Sequence, residues 1–328
     1  MKNHEHTLGR RALLTAAAAT GAWASLPALG QAWPARPIRL VIPFGAGAAS
    51  DMVARRIGER LQVALGQPVV VENKAGASGQ IAAELVAKAA PDGYTIFLTS
   101  NTTHSANPFL YKKLNYDPVK DFTPIARVCA FPFVLVVESK LPVANVKELV
   151  AYARSTGTTS YGYGNSTGQI AGAAFSRLTQ MDSVAVPYKS VPQVVTDLLG
   201  GQVQYAFVDM ANALPQIQAG KLKALAVSSE VRSALMPRLP TITEETGLQG
   251  FDLTAWGAVF GPAGMPRQIA DRMAAELTKI TTDPEFRERL QQAGVEAQTS
   301  TPEELRAFVD RQLVVWGAKV KDARIQPE

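Results

Sequence analysis

Short runs of apolar residues alternate along the chain with longer stretches in which apolar positions return every three or four residues. The first run, residues 38–42 (IRLVI), has the length of a strand and stops at Pro43. Beyond a loop of small residues at 45–50, Val53, Ile57, Leu61 and Leu65 recur at helical spacing across 52–65. Ser50-Asp51 supplies a start signal for that helix and Gly66 a stop. A strand at 69–71, a helix at 81–88 and a strand at 94–99 follow. This βαβαβ order predicts parallel pairing with helices on the sheet faces, because a parallel connection needs a crossover long enough to hold a helix.

The theme then repeats. Helices are expected at 146–154, 167–178 and 191–199, with strands at 159–163, 184–186, 204–208 and 222–227. Residues 251–260 read as extended and apolar. The tail is helical at 267–280, 284–292 and 302–320, where Pro284 and Pro302 occupy first turns behind Asp283 and Thr301 as N-caps. Two βα units and a helical tail predict two α/β lobes, each a mainly parallel sheet flanked by helices. The apolar segments at 131–137 and 251–260 are the expected crossings, which gives lobe 1 as 33–133 plus 256–328 and lobe 2 as 134–255.

Residues 1–32 do not fit that pattern. Arg10-Arg11 precede an apolar, alanine-rich run at 12–26, and Gly30-Gln31-Ala32 places small residues at a cleavage site. These are the parts of an export signal, taking either the twin-arginine or the general secretory route. The run of 15 residues is shorter than the roughly 20 a spanning helix needs. The mature chain is therefore expected to start at Trp33, outside the cytoplasm.

Composition narrows the chemistry. The 328 residues hold 33 Lys+Arg against 28 Asp+Glu, a net charge of +5, and Lys2, Arg10 and Arg11 against Glu5 account for two of those charges. The remainder is too small to argue for a nucleic-acid partner. A single cysteine, Cys129, excludes an intrachain disulfide and a Cys-based zinc cluster, and its apolar surroundings at 126–137 predict a small buried hydrophobe. Of three histidines, His4 and His6 precede the folded body, so only His104 remains for it. Two-histidine metal motifs are excluded, and no metal or cofactor is expected.

Three strand-end loops carry candidate chemistry. In the first, Phe44, Ala46, Gly47, Ala48 and Ser50 lie between a strand and a helix N-terminus, where uncovered N–H groups suit an anion. A dinucleotide fingerprint fails there: Ser50 stands where the third glycine belongs, and Glu72 lies 27 residues past Gly45. No Gly-Lys-Ser/Thr follows, so a P-loop fails too, and a carboxylate is the expected anion. In the second loop Gly164, Asn165, Ser166, Thr167 and Gln169 open another helix, as ligand donors or as a plain capped turn. In the third, Ser100, Asn101, Thr102 and His104 follow a strand of the first lobe, where parallel sheets present their ligands. His104 with a nearby Ser and Asp leaves an exported hydrolase as an alternative, although no GxSxG occurs. Asp209, at a strand terminus, either accepts from a ligand amine or hydroxyl or caps the next segment.

Several longer stretches carry a resemblance: Trp33 to Phe44 (WPARPIRLVIPF), Gly66 to Ala77 (GQPVVVENKAGA), Ala90 to Thr95 (APDGYT), Tyr116 to Pro124 (YDPVKDFTP), Val186 to Lys189 (VPYK), Leu198 to Val203 (LLGGQV), Ala219 to Val227 (AGKLKALAV) and Leu239 to Ile242 (LPTI). Together they resemble the solute-binding proteins of tripartite tricarboxylate transporters, the Bug family. The resemblance implies a periplasmic, monomeric, two-lobe Venus flytrap of the type II-like kind, which closes on a small carboxylate without catalysis and delivers it to membrane permease subunits. A role as a sensor for a signalling partner is the further alternative. It also implies that the ligand carboxylate sits against the loop at 44–50, that the loop at 164–169 holds the rest of the ligand, and that Tyr188 joins the site. Three positions depart from the family pattern: Gly47-Ala48 replaces Gly-Gly, Gln169-Ile170 replaces His-Leu, and Ser190 replaces a glycine.

Overall fold

The computed structural model describes residues 33–328, so the export-signal reading of 1–32 lies outside the described residues. Two sheets organise it, and both are mixed. The first, of six strands, is built from residues 38–131 and 255–297, and the second, of five strands, from residues 133–227. In the first, β1 (Ile38–Ile42) pairs in parallel with β2 (Val69–Asn73) and β3 (Thr95–Ser100). β10 (Ala255–Pro262) runs antiparallel between β3 and β4 (Phe122–Phe131), and the two-residue β11 (Glu296–Ala297) closes the edge. In the second, β6 (Thr159–Tyr163) pairs in parallel with β7 (Ser183–Pro187) and β8 (Tyr205–Asp209). β5 (Phe133–Glu138) is antiparallel to β8 and to β9 (Leu222–Val227).

The two-lobe α/β architecture is as expected, but the expectation of mainly parallel pairing needs correcting. β1 to β4 share one direction, as do β6 to β9. Each sheet then receives one reversed strand in its interior. β5 begins one residue after β4 ends, with only Pro132 between them, so it enters the second sheet running the opposite way to the strands that end there. β10 does the same in the first sheet. A strand that carries the chain away from the junction must oppose strands that arrive at it, and its interior position makes two antiparallel pairings.

The all-apolar strands are explained by burial on both faces. In β5, Val134 and Val136 enter one apolar cluster, while Phe133, Leu135 and Val137 enter another. Side chains alternate faces along a strand, so a continuous apolar run means helices cover both sides. The helix Arg267–Thr282 packs on β4 and on the helix Ala49–Leu65, and the helix Pro302–Asp322 packs on β4. Asp283 and Thr301 cap the last two helices as expected, accepting from Phe286 N at 2.8 Å and Glu304 N at 3.1 Å. Gly66 ends the Ala49–Leu65 helix at φ 69°, a left-handed conformation that glycine reaches without a Cβ penalty. Cys129 is fully buried in the core, and burial pushes its thiol pKa up.

Two local expectations change. The Ala49–Leu65 helix starts one residue before Ser50, and its N-cap, Ala48, has no side-chain bond to give. Ser50 is therefore not a cap. The polar segment after β3 is not an open loop: Asn101 leads into a π-helical turn, Thr102–Ala106, buried throughout.

Candidate functional site

The carboxyl ends of β1, β3, β6 and β8 converge where the two sheets face each other. There the chain leaves a narrow space of about 30 Å³, bordered from one side by Phe44, Ala48, Ser50, Ser100, Asn101 and Thr102 and from the other by Asn165, Thr167 and Asp209. These nine residues were expected at the site from sequence. Ala46, Gly47, His104, Gly164, Ser166, Gln169 and Tyr188 were expected too, and none of them lines this cavity.

The first loop is braced from below. Asp51 accepts from Gly47 N at 3.0 Å and from Arg55 Nε at 3.1 Å, while Asn73 Nδ2 reaches Phe44 O at 3.0 Å and Asp51 Oδ1 at 3.1 Å. Burial works to raise the Asp51 pKa, but the bonds from Arg55, Gly47 and Asn73 outweigh it and hold the carboxyl below the usual range. With the loop held this way, Ala49 and Ser50 keep their N–H groups without a backbone partner among the described residues. Ser50 Oγ also lacks a partner, although the residue is buried.

The second loop owes its shape to one glycine. A Cβ on Gly164 would stand 2.3 Å from Ser190 C and 2.4 Å from Val191 N, so two backbone segments touch there. Asn165 then caps the helix Ser166–Thr179 through Gly168 N at 2.9 Å. Both sequence readings of Asn165 hold at once, because the capping residue also borders the cavity.

Two hydrogen bonds tie the halves together across the cavity rim. Asn101 Nδ2 donates to Thr167 Oγ1 at 2.9 Å, and Ser166 Oγ donates to Thr102 Oγ1 at 3.0 Å. Thr167 accepts, so its own proton is free for a ligand, as is that of Ser100, whose Oγ accepts from Thr102 N at 3.3 Å. Asn101 is fully buried with its Oδ1 unpartnered. Asp209 combines its two expected roles. Its Oδ1 accepts from Asn212 N at 3.0 Å and Asn212 Nδ2 at 2.8 Å, while the residue also lines the cavity. Burial raises its pKa, with the Asn212 bonds opposing. No Lys or Arg lines the space. The inventory is hydroxyl protons, helix N-terminal amides and one acid, which suits an anion at the first loop and a donor group near Asp209.

His104 stands apart. Its ring is fully buried, stacks on Phe260 at 4.1 Å and packs against Phe122 at 4.6 Å. Nδ1 meets Thr103 Oγ1 at 2.9 Å, Nε2 has no partner, and burial lowers the pKa to about 3. A ring so placed is neutral and cut off from the cavity, so a triad built on His104 is not formed. Tyr188 turns away as well, donating its hydroxyl to Asp197 Oδ2 at 2.7 Å. Sequence reading missed the apolar wall, Ala49, Phe131, Phe133, Val191 and Ala255, and the brace Asn73. The signal for Phe131 and Phe133 was present: both lie at a chain crossing, where side chains from the two sheets meet.

Comparison with known proteins identifies the family and the fold. Residues 53–325 match the model of the tripartite tricarboxylate transporter family receptor. An R. palustris protein solved with adipate superimposes with a TM-score of 0.87 at 33% identity, covering 90% of this chain and 100% of that one. The periplasmic binding protein BugD gives 0.85 at 35% identity over 90% and 100% of the two chains. MatC from Rhodopseudomonas palustris, solved with bound malate, gives 0.82 at 32% over 88% and 100%.

Proposed function

The chain belongs to the tripartite tricarboxylate transporter receptor family, and from that premise we propose that it captures a small organic carboxylate between its lobes and delivers it to the permease subunits of a tripartite tricarboxylate-type transporter. It works in the periplasm after export through the signal at 1–32, with no catalytic step. Segments 33–133 plus 256–328 and 134–255 move as the two lobes, hinged where Pro132 joins β4 to β5 and where the chain returns into β10.

The observation that carries this reading is the set of unused polar groups around a cavity that no Lys or Arg lines: Ser50 Oγ, Asn101 Oδ1 and the amides of Ala49 and Ser50. Buried polar groups in folded proteins are nearly always partnered, so groups left unpartnered around one space mark where a ligand supplies the partner. One carboxylate of the ligand takes the Ser50 side, the Thr167 and Ser100 hydroxyls hold its middle, and Asp209 accepts from a hydroxyl or ammonium. Phe131, Phe133 and Val191 cover the carbon chain. Closure follows from differential affinity, since a ligand held equally by open and closed states shifts neither.

The test is titration calorimetry of the purified protein with malate, succinate and adipate, repeated with Thr102→Ala and Asn165→Ala. At least one of these acids binds, and each variant weakens it by about 1–3 kcal/mol, the scale of an unpaired buried polar group. Unchanged dissociation constants in both variants would remove these loops from the site.

A further inference from the structure

A second cavity, of about 160 Å³, lies between the helix Pro302–Asp322 and the start of β10. Its chemistry is the reverse of the cleft's. Arg127, on β4, is half buried with its guanidinium carbon 4.4 Å from the centre of the Phe308 ring. It forms no ion pair among the described residues, and its buried Nε has no hydrogen-bond partner. Trp256, 2% exposed, also lines the cavity and also leaves its Nε1 unpartnered. Trp316 Nε1 can only donate, and it donates to Gln312 Oε1 at 2.9 Å, which leaves the Gln312 amide N–H groups as that residue's free face. Lys319 is the second cation and donates to the carbonyl of Asp252.

Cations and N–H donors thus outnumber acceptors around an aromatic-walled space. Asp252 is the one carboxylate that borders it; Glu230 acts on Lys319 and Glu296 on Arg127 only through longer-range attraction, without ion-pair contact among the described residues. Burial lowers the pKa of both cations, with these acids opposing. A guanidinium taken from water without an acid partner is costly, and an indole N–H left unpaired beside it adds to that cost. One arriving anion would offset both costs.

We propose that this cavity is a second ligand site, independent of the cleft, that binds a carboxylate carried on an aromatic or apolar body. The carboxylate pairs with Arg127 and accepts from Trp256 Nε1 and Gln312, and the half-buried Phe308 takes the body. Ala255 borders both cavities, so an occupant here sits directly behind the segment by which the chain re-enters the first sheet.

Benzoate is the probe, titrated by calorimetry into the full chain, Arg127→Gln, Trp256→Phe and Asn165→Ala, with malate titrated in parallel. Benzoate should bind the parent and Asn165→Ala within twofold of each other, weaken at least tenfold in Arg127→Gln, and weaken severalfold in Trp256→Phe, which keeps the ring and removes the N–H. Malate affinity should be unchanged in Arg127→Gln. Benzoate binding unaffected by both cavity variants, binding lost in Asn165→Ala alone, or no benzoate binding by the parent overturns the proposal. Should Arg127→Gln fail to fold, Trp256→Phe carries the decision. Failure of malate, succinate and adipate to bind would sink the cleft reading while leaving this one standing.

Discussion

The strand ends at β3 and β8 each hide a titratable side chain, His104 at 0% exposure and Asp209 at 3%, yet they have opposite consequences. His104 is walled in by Phe97, Phe122 and Phe260, and its Nε2 has no partner. Asp209 divides its carboxylate between the cap of the next helix and the rim of a cavity. Burial and an unpartnered atom therefore do not identify a binding group by themselves. Space beside the group is the additional requirement, and only the second lobe's acid has it.

The contrast predicts opposite pH slopes. The folded His104 ring, with its pKa near 3, stays neutral where the unfolded chain takes up a proton, so folding stability falls as pH drops below about 6.5. The slope contributed is about 1.4 kcal/mol per pH unit over that window, the largest effect expected here. His104→Phe should remove it, as read from urea unfolding at a series of pH values. An unchanged slope would show that the ring is not buried neutral.

Next in size, Gly164→Ala brings a Cβ within 2.3 Å of the Ser190 backbone and should cost about 1–3 kcal/mol of stability, with ligand affinity falling alongside. A variant as stable as the parent would mean that the second loop does not depend on this close approach.

Asp209→Asn sharpens the comparison most finely. The raised pKa means that the folded state keeps this proton longer than the unfolded chain, so Asp209 lowers stability as pH rises from its ordinary value to its raised one. Asparagine still accepts from Asn212 through its own Oδ1 but no longer titrates. The variant should lose that slope, and malate affinity should fall relative to succinate by about 0.5–1.5 kcal/mol, the worth of one hydrogen bond. Equal losses for both acids would show that Asp209 does not read the hydroxyl.

Much of the fold was legible in the sequence. Ile38–Ile42, the helix stop at Gly66 and the caps Asp283 and Thr301 follow from local periodicity and backbone chemistry, and the structure has them. The mixed pairing was not legible, because an apolar strand reads the same in either direction. The candidate site divides in the same way. Asn165 was identifiable because a cap before a helix sits at a fixed place. His104 was misplaced because nothing local shows that Phe122 and Phe260 close over it. Asn73 was missed because its contacts are with Phe44, 29 residues away.

By itself the sequence determined where most of the strands and helices lie, which faces are apolar, and which strand-end segments carry hydroxyls and amides. These depend on neighbours within a few residues, and the period of the pattern records them. Tertiary structure alone decided which polar groups share a cavity, since that depends on contacts such as Asn101 to Thr167, 66 residues apart. The same holds for Arg127, whose place beside Phe308 and Trp256 exists only once the C-terminal helix packs over β4 and β10. Local periodicity sets a side chain's face; the packing of distant segments sets what that face meets.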